Sequence, residues 1–566
     1  MKRCITLAVA VSAALLALAP RNEVSIWPVD SLIQIFPDDA PMKNRLPDDQ
    51  WILAARNGHA DLQIAVRSRQ RIDALHVTVE IGGGLQAEVR RVGYVAVRTD
   101  PKDTPASELV RTAPALFPDP LLEDSEFAMQ ANQTVPVWIT LYAPPDANPG
   151  LYTGVAQFRS GTNRRASLPF RVRVMAAMVP PRQTLRVTNW LYASPQILAQ
   201  YYDLTKDPEK YWTVLGNIGR VLAEHHQNVI LTPVFELTDA QVTDSGLTYD
   251  FTRLDRWVET FRKAGTAQMI EGGHLLGRED GYNSPLTVPV FAADGNQVRR
   301  ITVPPADPRA DAHLRSFLPA LYNHLKEKDW LDDYAQHVLD EAHGAEVPVY
   351  EHVAQIVREE MPDVLTIDAI DHPSPALAKD CDIWVPQLGT FDRDLETIHN
   401  HVAQGGQAWF YTCLLPRGRY LNRFIDFPLL KTRLLQWFNF RYGFGGYLHW
   451  GGNSWGSDPF ANPQPTLGVG GDSEVLPAGD AFVTYPWREK FSIHSSIRLE
   501  AMRDGVEDYE LLNALAQRDP AKAQGLAAGA IAGMTEYVRD VAAFRRIQAD
   551  LLTTASEPAA ESARVR

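Results

Sequence analysis

Eight short apolar runs, separated by longer segments, occupy most of the chain between residues 185 and 450. Several intervening segments have the periodicity of amphipathic helices, as at 211–226, 313–326, 347–360, 395–403 and 429–441. Apolar strands that alternate with helices are typical of a parallel sheet covered by helices. Eight such units predict a (β/α)8 barrel of the TIM type, whose functional side chains lie at the carboxyl ends of the strands. The predicted strands cover 185–192, 228–235, 268–276, 334–341, 365–370, 382–388, 408–414 and 446–450.

The first third of the chain has a different pattern of apolar and polar residues. Short runs in which apolar and polar residues alternate, such as 74–80, 135–142 and 170–174, are separated by Pro, Gly and Asp. Alternation over these lengths predicts strands with one exposed face, and their repetition favours a β-sandwich. We therefore predict a multidomain β plus α/β protein, with an N-terminal β-sandwich at 21–178 and the barrel at 179–552.

Both ends of the chain are predicted to lie outside these domains. Lys2 and Arg3 precede an apolar run at 5–19 that is shorter than the roughly 20 residues of a membrane span. Residues 1–20 are thus predicted to be a signal peptide of an exported, periplasmic or secreted protein. A buried or anchoring helix is the alternative, because Pro20 is awkward for cleavage. Residues 553–566 are rich in Ala, Ser and Glu and predict a loose tail.

Composition excludes several classes of function. The net charge of −14 repels phosphate backbones, and no Lys/Arg stripe offsets it, so nucleic acid is not an expected partner. No glycine-rich phosphate loop follows a predicted strand, and no cofactor is expected. His337, Asp340 and His343 are close in sequence, but no further His or Cys completes a zinc set. Cys381 and Cys413 are predicted at opposite ends of neighbouring strands, which is too far apart for a disulfide.

The fourth predicted strand ends in two adjacent carboxylates, Asp340 and Glu341. Paired carboxyl groups suit cleavage of a glycosidic bond, because one can protonate the leaving oxygen while the other stabilises charge on the sugar. Polar and aromatic residues follow the other strands, and such groups stack on sugar rings and pair with hydroxyls. A single Trp or Asp near a strand end is more often a packing or capping residue, so the prediction depends on the whole set. The predicted substrate-binding residues are Asn189, Trp190, His274, Asp368, Gln387, Tyr411, Trp450 and Asn453.

Several motifs resemble glycoside hydrolase family 123, whose members are also described as DUF4091 proteins. The resemblance covers nearly the whole chain after residue 20, and its most specific part is Arg498-Leu-Glu-Ala-Met-Arg-Asp-Gly-Val-Glu-Asp-Tyr509. Further matches are Ala54-Ala-Arg-Asn57, Phe117-Pro-Asp-Pro-Leu121, Gln133-Thr-Val-Pro-Val-Trp138, Thr188-Asn-Trp190, His226-Gln-Asn228, Asp340-Glu341 and Trp384-Val-Pro386.

This resemblance implies a β-N-acetylgalactosaminidase that retains configuration by substrate assistance, in which the 2-acetamido oxygen replaces an enzyme nucleophile. It also implies that Glu341 is the general acid/base and that Asp340 holds the acetamide N–H. Family members commonly have Pro after the acidic pair, where this chain has Ala342, so the loop is expected to differ. A conventional two-carboxylate glycosidase that uses Asp368, or a non-catalytic carbohydrate-binding protein, remains open as an alternative. The specific sugar and the oligomeric state also remain open.

Two segments have predictions of their own. Residues 277–304 interrupt the barrel rhythm around Asp294-Gly-Asn296 and predict a hairpin that is either a lid over the site or a surface decoration. Residues 497–512 have helical spacing, and Arg503, Asp504, Glu507 and Asp508 are predicted to form an ion network on that helix. Arg498 and Glu500, nearer the helix start, could still reach the site.

Overall fold

The structure is a computed structural model that describes residues 24–41, 52–205, 207–244, 246–371, 373, 377, 379–469 and 472–557. The predicted signal peptide at 1–20 lies outside the described residues. Among the helices that are described, none combines the length and apolar character that crossing a membrane requires.

The N-terminal domain consists of two five-stranded sheets, in the orders β1-β3-β8-β5-β6 and β2-β10-β9-β4-β7. Neighbouring strands are antiparallel, except that β10 and β2 are parallel. The strands are β1 (Val24–Asp30), β2 (Ile52–Arg56), β3 (Gly58–Ser68), β4 (Ile72–Ile81), β5 (Gln86–Val97), β6 (Ala115–Leu122), β7 (Glu126–Met129), β8 (Thr134–Ala143), β9 (Gly150–Ser160) and β10 (Asn163–Met178).

The two sheets share one apolar core. In β10, Val172 and Val174 are buried whereas Arg171 and Arg173 are exposed, as the period of two in a strand requires. Val172 and Val174 belong to the same buried cluster as Ile64 in β3 of the other sheet. The predicted β-sandwich is therefore confirmed.

The rest of the chain alternates strands with helices. Its strands are β11 (Arg186–Asn189), β12 (Val229–Thr232), β13 (Asp239–Thr243), β14 (Gly246–Asp250), β15 (Met269–Gly272), β16 (Gly277–Arg278), β17 (Leu286–Asp294), β18 (Gln297–Val303), β19 (Tyr334–Gln336), β20 (Leu365–Ile370), β21 (Ile383–Pro386), β22 (Gln407–Ala408), β23 (Phe410–Tyr411), β24 (Gly446–His449), β25 (Thr466–Val469), β26 (Asp472–Val475), β27 (Tyr485–Trp487) and β28 (Ser492–His494).

Its helices are α1 (Pro195–Leu198), α2 (Glu209–Glu224), α3 (Val234–Leu237), α4 (Thr252–Ala264), α5 (Pro308–Glu327), α6 (Val347–Glu360), α7 (Phe391–Ala403), α8 (Leu429–Tyr442), α9 (Ile497–Ala516), α10 (Pro520–Ala530) and α11 (Val541–Ser556). Because α11 runs to Ser556, the chain is helical for four residues beyond the predicted start of the loose tail. Residues 558–566 lie outside the described residues.

A parallel strand forms within each of the eight predicted runs, but the strands form two sheets. One sheet has the order β11-β24-β23 and the other β12-β15-β19-β20-β21-β22. Between β11 and β12 the Asn228 side chain replaces part of the ladder: it accepts from the Val187 N–H and donates to the Leu185 carbonyl. The structure thus confirms parallel strands alternating with helices, but the single closed ring of eight strands is not confirmed.

Helix α9 joins the two domains. Arg498 pairs with Asp119 of β6 at 2.8 Å, and Arg503 pairs with Asp61 of β3 at 2.7 Å. Glu500 pairs with Arg90 of β5 at 2.6 Å. The predicted ion network is confirmed. Arg498 and Glu500 have no contact with the acidic pair among the described residues, because buried groups of both domains bind their side chains.

The insertion after β15 forms the predicted hairpin. Strands β17 and β18 are antiparallel, with Asp294 opposite Gln297, and Gly295 has the positive φ of 62° that a tight turn needs. Phe291 anchors the hairpin, since its ring lies 4.5 Å from that of Phe235 and 6.2 Å from that of Phe317 in α5. The hairpin is therefore a packed element, and its first residues, 277–284, are the part that reaches the strand ends. Cys381 and Cys413 are free, as predicted.

Candidate functional site

The acidic pair lies on a loop rather than at the end of a strand. Strand β19 stops at Gln336, so the predicted strand end at Glu341 is wrong by five residues. The reason is non-local: the Asp368 carboxylate binds the Val338 N–H at 3.1 Å and interrupts the ladder. Glu341 then adopts a positive φ of 50° while its N–H donates to the Ala369 carbonyl. The chain therefore turns at Glu341.

This turn removes the restriction that a strand imposes. Successive side chains of a strand point to opposite faces, whereas a residue in the left-handed region redirects its side chain. Asp340 and Glu341 are both partly exposed. Neither carboxylate is sealed beneath the sheets, as a catalytic role requires.

Arg278 of β16 holds the loop in place. Its guanidinium donates to the Asp340 carbonyl at 2.9 Å and pairs with Glu346 at 2.7 Å. Next to it, Tyr282 stacks on His343 with ring centroids 4.7 Å apart, and its hydroxyl donates to Asp371 at 3.0 Å. The start of the insertion is thus one wall of the site.

The two carboxylates have different partners. The Tyr411 hydroxyl of β23 donates a hydrogen bond to Glu341 Oε1. Among the described residues, none donates a hydrogen bond to the Asp340 carboxylate, which leaves it free to accept one. Desolvation, with the charge of Asp340 next, raises the pKa of Glu341 above its ordinary value. Desolvation also raises the pKa of Asp340, against the opposing charges of His337 and Arg278.

A buried ion network lies behind the pair. His337 lies between two carboxylates, with Nε2 2.7 Å from Glu271 and Nδ1 2.9 Å from Asp368. Burial alone would lower the pKa of His337, but the hydrogen bonds to these carboxylates raise it to about 10. Trp190 donates its indole N–H to Glu271 at 2.8 Å, and Tyr350 donates to Asp368 at 2.7 Å. The network places the His337 imidazolium, held between two carboxylates, near Asp340, where its charge acts against the raised pKa of that group.

The structure separates the predicted binding residues into two groups. Tyr411 contacts Glu341, and Gln387 lies beside Tyr411 through a backbone bridge while its side chain caps the following turn. Except for His274, the remaining side chains form hydrogen bonds within the protein. Asp368 is 1% exposed inside the ion network, Asn189 binds Gln227, and Trp450 donates to Asp480 at 3.2 Å. The amide oxygen of Asn453 accepts from the Tyr192 N–H, and its amide nitrogen donates to the Tyr192 carbonyl.

His274 completes a group of possible metal donors. Its ring lies 4.3 Å from that of His337, and donor atoms of His274, His337 and Asp368 lie within 4.8 Å of one another. A metal needs a free lone pair on each imidazole. Both nitrogens of His337 face carboxylates and carry protons, so this group does not fit a metal. Desolvation and the charge of His337 hold the pKa of His274 well below its ordinary value, so His274 is a neutral ring beside the site.

Several residues at the site were not among the predicted ones. Arg278 and Tyr282 belong to the insertion, about 60 residues before the acidic pair, and no local pattern marks them as neighbours of that pair. Tyr192, three residues past the end of β11, lies close enough to Asp340 for the Asp340 charge to help raise the pKa of Tyr192, after desolvation. The sequence signal was the set of polar and aromatic residues at the carboxyl ends of the predicted strands. It identified the end of the sheets at which the site lies, but not these loop residues.

A partly exposed carboxyl pair on the carboxyl side of parallel strands is compatible with the acid/base chemistry of hydrolases that act on sugars. Family models give the particular assignment. The glycoside hydrolase 123 catalytic domain matches residues 190–515, and the glycoside hydrolase 123 N-terminal domain matches residues 39–160. The chain belongs to glycoside hydrolase family 123.

One solved structure agrees on the fold. A family 123 glycoside hydrolase from Clostridium perfringens, described for glycolipid glycan hydrolysis, is similar with a TM-score of 0.72 and 14% identity, over 94% of this chain and 97% of that one. A family 39 glycoside hydrolase from the gut symbiont Bacteroides cellulosilyticus WH2 has a TM-score of 0.36 and 10% identity, over 81% of each chain. No functionally curated protein matches the sequence.

Proposed function

We propose that this chain hydrolyses β-linked N-acetylhexosamine, with N-acetylgalactosamine favoured, and retains configuration through substrate assistance. The two parallel sheets would together act as the (β/α)8 barrel that carries the site. One observation carries the proposal: of two adjacent, partly exposed carboxylates, Glu341 is bound by a neutral hydroxyl and Asp340 by no described donor. These are the environments that a proton donor and an acceptor for an amide N–H need.

In the first step the acetamide oxygen of the sugar attacks the anomeric carbon. The bond from this carbon to the leaving oxygen breaks, and Glu341 gives its proton to that oxygen. Asp340 accepts the acetamide N–H and offsets the positive charge that develops on the cyclic oxazolinium. The raised pKa of Glu341 keeps the proton available at neutral pH. Tyr411 orients the carboxyl group through its hydrogen bond.

In the second step Glu341 acts as a base. It takes a proton from a water molecule, which attacks the anomeric carbon and opens the ring of the intermediate. The acetamide is restored, Glu341 regains its proton, and two inversions give net retention. The enzyme supplies no nucleophile of its own.

The conventional two-carboxylate mechanism has less support in this geometry. It needs a second carboxylate facing the sugar, and Asp368 was the candidate for that role. Asp368 is buried and binds His337, the Val338 N–H and Tyr350. Its oxygens are therefore committed to the ion network behind the site.

Hydrolysis of aryl and alkyl β-glycosides by Glu341→Gln tests the proton donor. On alkyl glycosides, whose leaving oxygen needs a proton, we expect kcat to fall by about 10²–10⁴, whereas aryl glycosides with good leaving groups lose much less. The matched control is Glu279→Gln, which removes an exposed carboxylate from the 277–284 loop and should leave kcat unchanged. Equal losses on both substrates would remove Glu341 from the role of acid.

A thiazoline analogue of N-acetylgalactosamine tests substrate assistance. It mimics the cyclic intermediate, so we expect it to inhibit the wild type and to bind Asp340→Asn much more weakly. An enzyme that hydrolyses substrate but is not inhibited by the thiazoline would instead favour the conventional mechanism, and a chain that binds glycans without any turnover would favour a binding protein.

Chromogenic β-GalNAc and β-GlcNAc substrates compared side by side report the sugar preference. Export from the cytoplasm is part of the same proposal, on the strength of residues 1–20.

A further inference from the structure

Three metal-binding side chains meet at the interface between the two domains. They are His59 of β3, His226 in the turn after α2, and Glu507 of α9. His59 Nδ1 lies 2.6 Å from Glu507 Oε1, and His226 Nε2 lies 3.3 Å from the same oxygen. The three donor atoms lie within 4.8 Å of one another. From this geometry we propose a divalent zinc site formed by His59, His226 and Glu507.

The donor set is one that zinc prefers. Two imidazoles and one carboxylate bind Zn²⁺ at about 2.0–2.2 Å, which places ligand atoms about 3.3 Å apart in a tetrahedron. The pair that involves His226 already has this separation, and the His59 pair needs to open by about 0.7 Å. The backbone N–H of His59 donates to Glu507 Oε2 at 2.8 Å, which leaves Glu507 Oε1 as the single ligand oxygen. Zinc binding needs His59 protonated on Nε2 and His226 on Nδ1, so that both facing nitrogens offer lone pairs.

The site has room for a fourth ligand. His59 and His226 line a cleft of about 700 Å³ between the sandwich and the amino ends of the parallel strands. Their side chains are 21% and 25% exposed, whereas Glu507 is 6% exposed behind them. A water molecule from the cleft would complete a four-coordinate ion. The cleft lies at the end of the strands opposite to the acidic pair, so this site is separate from the proposed catalytic one.

The backbone at His226 supports the assignment. His226 has a positive φ of 62° immediately after helix α2, a position at which glycine is usual. The Gln183 side chain donates to the His226 carbonyl at 2.9 Å and helps to hold this conformation. In this conformation the His226 ring lies 3.3 Å from Glu507, on the side of the cleft that His59 also lines.

The nearby positive charge of Arg503 is balanced. Arg503 also lines the cleft, and a lone guanidinium there would repel a cation. It forms ion pairs with Asp61, Glu500 and Asp504. The net local charge therefore does not oppose Zn²⁺. A bound ion would connect a sandwich strand, a barrel turn and helix α9, which are far apart in sequence.

Metal analysis of the full chain tests the proposal. After removal of metal with a chelator and titration with Zn²⁺ alone, we expect one tight ion per chain in the wild type and a rise in Tm that EDTA reverses. His226→Gln and His59→Gln should lose the ion and the zinc-dependent part of Tm. His352→Gln, which changes an exposed histidine paired with Asp311, should keep both.

A crystal of the wild type soaked in zinc gives a second readout that does not depend on the variants folding. An anomalous peak bounded by His59 Nδ1, His226 Nε2 and Glu507 Oε1 is the expected result. Absence of that peak, or stoichiometric binding that survives His226→Gln, would overturn the proposal and leave a hydrogen-bonded interface cluster.

Discussion

Carboxylates near the strand ends and carboxylates on helix α9 have opposite surroundings. Glu500 of α9 is fully buried and binds Arg90, His225, Ser495 and Arg503. Burial alone would raise its pKa, but the charges of Arg90 and Arg503 outweigh burial and hold the pKa of Glu500 well below its ordinary value. Glu341 has one neutral donor and an acidic neighbour, and its pKa is raised.

The difference separates structural acids from reactive ones within a single chain. A carboxylate surrounded by cations stays ionised and stabilises the fold, as Glu500 does at the domain interface. A carboxylate left with neutral or like-charged neighbours keeps its proton and can give it away, as Glu341 can at the rim. Sequence pattern alone does not distinguish the two, because Arg90 and His225, which bind Glu500, are more than 250 residues away along the chain.

Glu500→Gln should have the largest effect on stability. The substitution removes the charge that compensates Arg90 and Arg503, and breaking a buried ion pair costs about 3–5 kcal/mol. We expect a much lower denaturation midpoint, with the kcat of the remaining folded enzyme close to that of the wild type. Urea denaturation followed by far-UV circular dichroism, together with active-site titration, measures both quantities.

Glu88→Gln is the matched control for this substitution. Glu88 also pairs with Arg90, at 3.6 Å, but its side chain is 55% exposed, so the pair is worth about 0–1 kcal/mol. Similar losses for both variants would contradict the division between buried structural acids and the rest. A large fall in kcat for folded Glu500→Gln would instead connect α9 to the chemistry.

Asp340→Asn should change the free energy of unfolding by less than Glu500→Gln does, and should raise it where Glu500→Gln lowers it. A raised pKa means that the folded state disfavours the charged carboxylate, so the wild type loses stability as pH rises from the unfolded pKa of Asp through the raised folded value. The amide removes this cost, and we expect a gain of about 0.5–2 kcal/mol at pH 7.5 together with lost activity. Thermal denaturation at pH 3.5 and 7.5 is the measurement. A variant that is less stable than the wild type at pH 7.5 would show that Asp340 is a structural acid.

Local patterns predicted most of the fold. Apolar runs with turn residues between them located a parallel strand in each of the eight predicted positions, because strand formation depends on nearby residues. The Arg498 to Tyr509 motif was placed on a helix with an ion network for the same reason. The single closed ring that these runs predicted is not confirmed, since the Asn228 side chain takes ladder positions between β11 and β12.

The site was only partly predictable. Of the predicted residues, the structure brings Glu341 and Tyr411 into contact, with Asp340 adjacent, because all three lie at or just beyond the carboxyl ends of parallel strands. The end of β19 was misplaced because a carboxylate 30 residues later binds the Val338 N–H. That same contact buries Asp368, and nothing local reveals it. The contribution of Arg278 comes from the insertion and depends on how the chain folds back.

Tyr411→Phe should have the smallest effect of these substitutions, a moderate change in kcat and in the pH dependence of kcat/KM. It tests whether the Tyr411 hydroxyl sets the pKa of the proposed proton donor, Glu341. The Tyr411 hydrogen bond lowers the pKa of Glu341 against desolvation and the charge of Asp340, so its loss raises that pKa further. The alkaline limb of kcat/KM, on which Glu341 loses its proton, should move to higher pH, with a loss of kcat of about tenfold from poorer orientation. Tyr282→Phe, which removes a hydroxyl bound to Asp371 instead, is the control and should leave the limb closer to the wild-type position. A limb that moves to lower pH in Tyr411→Phe would mean that the hydroxyl does not stabilise the Glu341 carboxylate, and the contrast with the cation-bound Glu500 would then need another cause.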